Sequence, residues 1–188
     1  MNLRIALIAL TLALAACDGQ NPIAQDGASD APQLDAPAPD SEPSRVFSAA
    51  NDGARTVAPE LTVSISTRLP DNAEGDVQEV LTLRGANGLI VEATVSGAVS
   101  PATQVQGQTL RALLSIPVEE PQVLVYRISS ESRPQGGGGV CGAEQAAYVV
   151  VWEPAGPGEP VMKLLGLTGG QPGAANARGC AMLEYRRS

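Results

Sequence analysis

The sequence predicts an all-β fold, a small antiparallel sandwich or barrel of about seven to eight strands. Three observations lead to this prediction. Apolar residues alternate with polar ones over short segments, turn-forming residues separate these segments, and no long segment has a helical period. We assign this fold to residues 56–188, which are enough for one domain with its own core.

The predicted strands follow one another along that segment. Between residues 61 and 69, apolar residues alternate with Thr and Ser, and residues 89–95 repeat this alternation after a turn at 85–88. Five further segments have turn-formers on both sides: residues 77–84, 123–129, 147–153, 161–168 and 180–187. Residues 109–116 are also predicted as a strand, although Leu110, Leu113 and Leu114 would suit one or two helical turns.

The N-terminus has the pattern of a secretion signal. Arg4 precedes an apolar run over residues 5–16, and two small residues stand directly before Cys17. The run is too short to cross a bilayer, which takes about 20 apolar residues. This segment is similar to the lipobox of bacterial lipoproteins. The resemblance implies that residues 1–16 are a signal peptide and that Cys17 is acylated, which would anchor the protein facing the periplasm. It leaves the inner and outer membranes as alternatives.

Residues 17–55 are predicted to form a disordered tether behind the acylated cysteine. They are dominated by Asp, Pro, Ala, Gly and Ser and hold too few apolar residues for a core. Residues 18–55 carry a net charge of −5 and residues 56–188 a net charge of −4. Because the acidic chain has no basic stripe, we expect no binding to nucleic acid. The expected partners are the membrane, through Cys17, and an envelope protein.

The two remaining cysteines are predicted to pair. After acylation of Cys17, Cys141 and Cys180 are the thiols left in an oxidising compartment. If the last three strands form a meander, the first and third lie about 10 Å apart, which is too far for a disulfide. Either the loop that carries Cys141 crosses over the middle strand, or the first and third strands are direct neighbours.

Histidine is absent from the chain, which removes the usual nucleophilic triads and histidine metal sites. Lys163 lies in an apolar strand pattern, so we interpret it as a solvated lysine and not as a catalytic base. Glu119 and Glu120 are adjacent and point to opposite faces of an extended chain, which suits glycoside chemistry poorly. The sequence therefore predicts no catalytic constellation and no cofactor.

An oxygen-rich turn, residues 71–76, is the one weak candidate for a metal site. Asp71, Glu74 and Asp76 would supply carboxylates to calcium. The glycine of this turn is one place earlier than in an EF-hand loop, and no glutamate follows at the twelfth place. We interpret the segment as a solvated hairpin turn and expect no metal.

Three aromatic residues are candidates for a partner surface. Tyr148 and Trp152 would share one face of a strand, and Phe47 is the single phenylalanine, placed in the predicted tether. Packing in the core is the alternative for the strand pair, and docking of a short segment on the domain is the alternative for Phe47.

The C-terminal quarter resembles small uncharacterised lipoproteins of alphaproteobacteria. The resemblance is carried by Cys141-Gly142, by residues 148–151, by Gly179-Cys180 and by Tyr185. It implies an envelope location and a disulfide, but no activity. Our first hypothesis is a non-enzymatic binding module. The alternatives are a protein similar to the lipid-anchored lysozyme inhibitors, which are also small disulfide-bearing β-barrels, and a histidine-free enzyme, which would need a deep pocket with converging carboxylates.

Overall fold

The computed structural model describes residues 42–69, 77–154 and 160–188. The acylation site predicted at Cys17 and the first part of the predicted tether lie outside these residues. The weak calcium candidate formed by Asp71, Glu74 and Asp76 lies outside them as well.

Eight antiparallel strands form a closed barrel, which confirms the predicted all-β class and selects the barrel over the sandwich. The chain runs up and down around the barrel, and the first strand closes it by pairing with the last. The barrel strands are β1 (Arg45–Ala49), β2 (Glu60–Arg68), β3 (Gln78–Gly85), β4 (Ile90–Val99), β7 (Val123–Ser132), β8 (Tyr148–Trp152), β9 (Val161–Thr168) and β10 (Arg178–Arg187). The remaining elements are β5 (Gln104–Val105), β6 (Gln108–Thr109), and helices α1 (Asp52–Val57) and α2 (Leu110–Leu114).

Strand β1 differs from the sequence prediction, which placed these residues in a disordered tether ending at residue 55. Phe47 pairs with Leu61 of β2 on one side and with Arg187 of β10 on the other, and its side chain is fully buried. Helix α1 follows, with the Asn51 side chain accepting the N–H of Ala54 at its start. The folded part therefore also includes residues 45–57, because the barrel needs β1 to cover the open edges of β2 and β10.

Helix α2 corrects the strand predicted for residues 109–116. The side chain of Thr109 accepts the N–H of Ala112 and so caps the helix, and Ser115 ends it in the left-handed conformation. Leu110 and Leu114, one turn apart, are both buried. The helical spacing of the leucines was therefore the signal that decided this segment.

The apolar residues form two layers. All eight barrel strands contribute to the inner layer, which fills the barrel, through Phe47, Leu61, Val63, Leu81, Leu83, Val91, Ala93, Tyr126, Val149, Met162, Leu164, Leu183 and Tyr185. The outer layer packs α2 and β5 against the opposite face of β7, β8 and β9. Strand β8 supplies both layers, because its alternate residues point to opposite faces of the sheet.

The predicted disulfide between Cys141 and Cys180 is present, and the Cα atoms of the two cysteines are 5.2 Å apart. Strands β8, β9 and β10 do form a meander, so the loop that carries Cys141 crosses over the middle strand. The loop crosses β9 at Gly166. A Cβ atom at this position would come within 2.8 Å of Val140 Cγ1 and 3.0 Å of Cys180 Sγ, so a larger residue would have to displace these atoms.

Candidate binding site at the open end of the barrel

One end of the barrel is closed by two segments of the chain. Ala54 and Val57 of α1 are buried with the inner layer, and Val140 joins that layer from the loop before β8. The carboxylate of Glu131 accepts the N–H of Val140 at 2.7 Å and is bonded by Arg133 at 3.2 Å. The Glu131 side chain is 1% exposed, so its carboxylate fixes the loop from a buried position. We therefore assign the contacts of Glu131, Val140 and Arg133 to the closure of this end of the barrel.

The other end of the barrel opens into a pocket of about 260 Å³. Arg45, the first residue of β1, and Glu153, directly after β8, stand at its rim. The pocket also contacts Trp152, and among the described residues its indole Nε1 has no hydrogen-bond partner. The walls are mainly apolar, formed by Val63, Ile65, Leu81, Val123, Leu124, Val151 and Met162.

The charged pair at the rim is well ordered. Arg45 Nη1 donates to both carboxylate oxygens of Glu153, at 2.7 and 2.6 Å. The two side chains are 19% and 26% exposed, so water screens the pair only in part. The Arg45 guanidinium also lies 5.7 Å from the centre of the Phe47 ring. Because both partners are held in this way, the rim is preorganised.

A second polar pair adjoins the pocket, since Tyr126 lines it; we call the pocket together with this pair the mouth of the barrel. The hydroxyl of Tyr126 donates to Glu79 Oε1 at 2.5 Å, and Tyr126 is almost completely buried. Burial raises the pKa of Tyr126 above its ordinary value, and the hydrogen bond to Glu79 and the charges of Glu79 and Glu42 raise it further, whereas Arg45 lowers it. The phenol therefore stays protonated at neutral pH and orients the Glu79 carboxylate.

Exposed apolar residues gather at the same end. Among the described residues six large hydrophobic side chains are exposed, and five of them belong to chain segments at the open end: Val46, Leu69, Val77, Val118 and Leu124. Leu69 and Val77 stand directly after β2 and directly before β3, and Val118 is 83% exposed in the connection from α2 to β7. The sixth, Met182, lies on β10. Clustered apolar residues of this kind mark an interaction surface more often than single ones do.

The structure buries two of the three sequence-predicted partner residues. Phe47 is fully buried inside the barrel, and Trp152 is 8% exposed. Tyr148 is half-buried and packs against the outer layer, which includes Trp152. Trp152 therefore packs in the core, as the alternative expected, and it also lines the open-end pocket.

Sequence reasoning missed the polar groups of the mouth. Glu79 shares its strand face with Leu81 and Leu83, and Arg45 shares its face with Phe47. A charged residue at an inward position near a strand end was the signal that could have found them. An inward charge near a strand end does not by itself show that Glu79 and Arg45 lie at the same end of the barrel, because that depends on which strands pair.

Within the described residues, no group of three or more His, Cys, Asp and Glu side chains could hold a metal ion. None of the helices in this part of the chain is both long and apolar enough to cross a membrane. Compared with known proteins, the chain matches no protein-family model, no curated protein and no solved structure.

Proposed function

We propose that this protein is a lipid-anchored component of the bacterial cell envelope that binds another envelope protein through the open end of its barrel. One observation carries the proposal. Five of the six exposed large hydrophobic side chains of the described residues belong to chain segments at that end, where a pocket with preorganised polar groups opens. An apolar surface with a few fixed polar groups is the usual composition of a protein interface.

Binding fits this pocket better than catalysis does. The enzyme hypothesis requires converging carboxylates with a free reactive group, but Glu153 is paired with Arg45, and Glu79 is oriented by a hydrogen bond from Tyr126. The chain has no histidine, and the raised pKa of Tyr126 removes its phenol as a base at neutral pH. Polar groups that neighbouring side chains already orient are suited to holding a partner in one orientation.

Cross-linking in the native bacterium tests the proposed surface. A photoreactive amino acid replaces Val118 at the open end or, as a control, Glu144 in the loop at the closed end. We expect a discrete protein adduct from position 118 and none from position 144. Adducts of equal yield from both positions, or none from position 118, would contradict the proposal.

Fatty-acid labelling tests the anchor separately. The Cys17→Ser variant should incorporate no labelled fatty acid and should keep its signal peptide, because acylation precedes cleavage at this cysteine in the lipoproteins it resembles. Incorporation equal to that of the unmodified protein would exclude a lipid at Cys17. Neither result changes the interpretation of the cross-linking, since the cross-linker sits on the barrel.

The lysozyme-inhibitor alternative keeps one favourable observation, the closed disulfide-bearing barrel on an acidic chain. Lysozymes would then be the partner. Inhibition of lysozyme activity by the full chain at equimolar concentration would favour this reading, and an unchanged rate of cell-wall hydrolysis would exclude it.

A further inference from the structure

We propose that the open-end pocket accepts one basic side chain, a lysine or an arginine, presented by the partner protein. The inference rests on the proposed binding function and adds to it the chemistry that the partner must offer. The size of the pocket, its apolar walls and its acidic groups all favour a basic side chain.

The size of the pocket limits what it can hold. Its volume of about 260 Å³ lies below the range of about 300–1,000 Å³ that is usual for drug-sized ligands. A space of this size matches a single long side chain better than a whole drug-sized ligand. The exposed Val118 and Leu124 beside it would contact the partner around that side chain.

The walls suit the stem of a long cationic side chain. Val63, Ile65, Leu81 and Met162 present apolar surface inside the mouth. Lys and Arg bury their methylene groups against such surfaces while the charged end reaches a polar rim. A short acidic or amide side chain would leave this surface without a partner.

The charges in the mouth favour a cation. Glu120 and Glu153 line the pocket, Glu79 accepts a hydrogen bond from Tyr126 at its wall, and Arg45 is the one cation among the described lining residues. Arg45 is already bonded to Glu153. In the ion pairs found among the described residues, Glu79 has no cationic partner.

Glu79 is the group that we assign to the incoming cation. Tyr126 donates one hydrogen bond to its Oε1 atom, and a carboxylate can accept about four. The bond from Tyr126 therefore orients the carboxylate and leaves it able to accept from an ammonium or guanidinium group. Because Glu79 is half-buried, that contact would be screened less than one on the open surface.

The direct test is titration of the isotope-labelled full chain with blocked tripeptides, followed by NMR. The probes are acetyl-Gly-Lys-Gly-amide and acetyl-Gly-Arg-Gly-amide, with norleucine as the uncharged control of similar shape. We expect the basic peptides to shift the signals of Glu79, Tyr126 and Val151. The Glu79→Gln variant should bind them at least about tenfold more weakly, and Glu60→Gln, the same change at the closed end, should bind them normally.

Equal affinity for the norleucine and lysine peptides would overturn the inference, as would shifts confined to other surfaces. The spectrum of each variant without peptide shows whether it is folded. If Glu79→Gln does not fold, the salt dependence of the unmodified chain decides: affinity for the lysine peptide should fall as ionic strength rises, and constant affinity would overturn the inference.

The cross-linking experiment separates this inference from the proposed function. An adduct at position 118 that persists undiminished in the Glu79→Gln background would leave the binding function standing and refute the role of the basic side chain. Loss of the adduct in that background, with Glu60→Gln unaffected, supports both. Absence of the adduct in the unmodified background refutes the binding function, whatever the peptides do.

Discussion

Replacing Gly166 with alanine tests the crossing of the disulfide loop over β9. The new Cβ would lie 2.8 Å from Val140 Cγ1, 3.0 Å from Cys180 Sγ and 3.4 Å from Cys141 Sγ. Val140 is buried and the two sulfurs are bonded to each other, so none of these atoms can move away freely. Overpacking of this kind costs about 1–3 kcal/mol.

A smaller effect acts in the opposite direction. Alanine restricts the unfolded chain more than glycine does, which stabilises the native state by about 0.4–1 kcal/mol where the backbone allows alanine. The free energy of unfolding should therefore fall by roughly 0.5–2 kcal/mol. Gly179→Ala is the matched control, because its Cβ would have Leu165 Cδ1 as its nearest contact, at 3.6 Å. That variant should be unchanged or slightly more stable.

Urea unfolding of the oxidised chain, followed by the fluorescence of the single tryptophan, Trp152, measures these values. A double-mutant cycle of Gly166→Ala with Val140→Ala should return about 1 kcal/mol of coupling, since removal of Cγ1 relieves the closest contact. If Gly166→Ala is as stable as Gly179→Ala and shows no coupling to Val140, the loop does not lie against β9 and the reasoning fails.

Three further outcomes are expected. Phe47→Ala should lower the free energy of unfolding, measured in urea, by about 3–5 kcal/mol, because the ring is fully buried. A loss below about 1 kcal/mol would mean that β1 is not part of the folded barrel. Joint replacement of Cys141 and Cys180 by alanine should cost about 2–5 kcal/mol and keep the β-rich circular dichroism spectrum, whereas an unchanged urea midpoint would contradict a structural disulfide. Burial raises the pKa of Tyr126 and of Tyr185 above the ordinary value of 10.0. Above that pH the unfolded chain loses these protons before the folded chain does, so the free energy of unfolding should fall as pH rises. A free energy of unfolding that stays constant from pH 9 to 11 would contradict the burial of the two phenols.

The amino-acid sequence by itself determined the strands with a clear period of two. Alternation in two segments, such as that of Leu61, Val63 and Ile65, and flanking turn-formers around five more predicted seven barrel strands at nearly their observed positions. It also determined the cysteine pairing, because Cys141 and Cys180 were the two thiols left beyond the predicted acylation site. Both results are local or compositional, and they need no knowledge of how the strands meet.

Only the tertiary structure decided how the barrel closes and where its site lies. The five residues of β1 carry one large apolar side chain inside, Phe47, which is too little for a periodic signal. Their partners are distant in sequence: Ser48 contacts Ser188, 140 residues away. Closure brings Arg45 to the pocket that Tyr126 lines, and the Tyr126 hydroxyl donates to Glu79 there. Pairing between distant segments depends on the whole set of strands, so no short stretch of sequence specifies it.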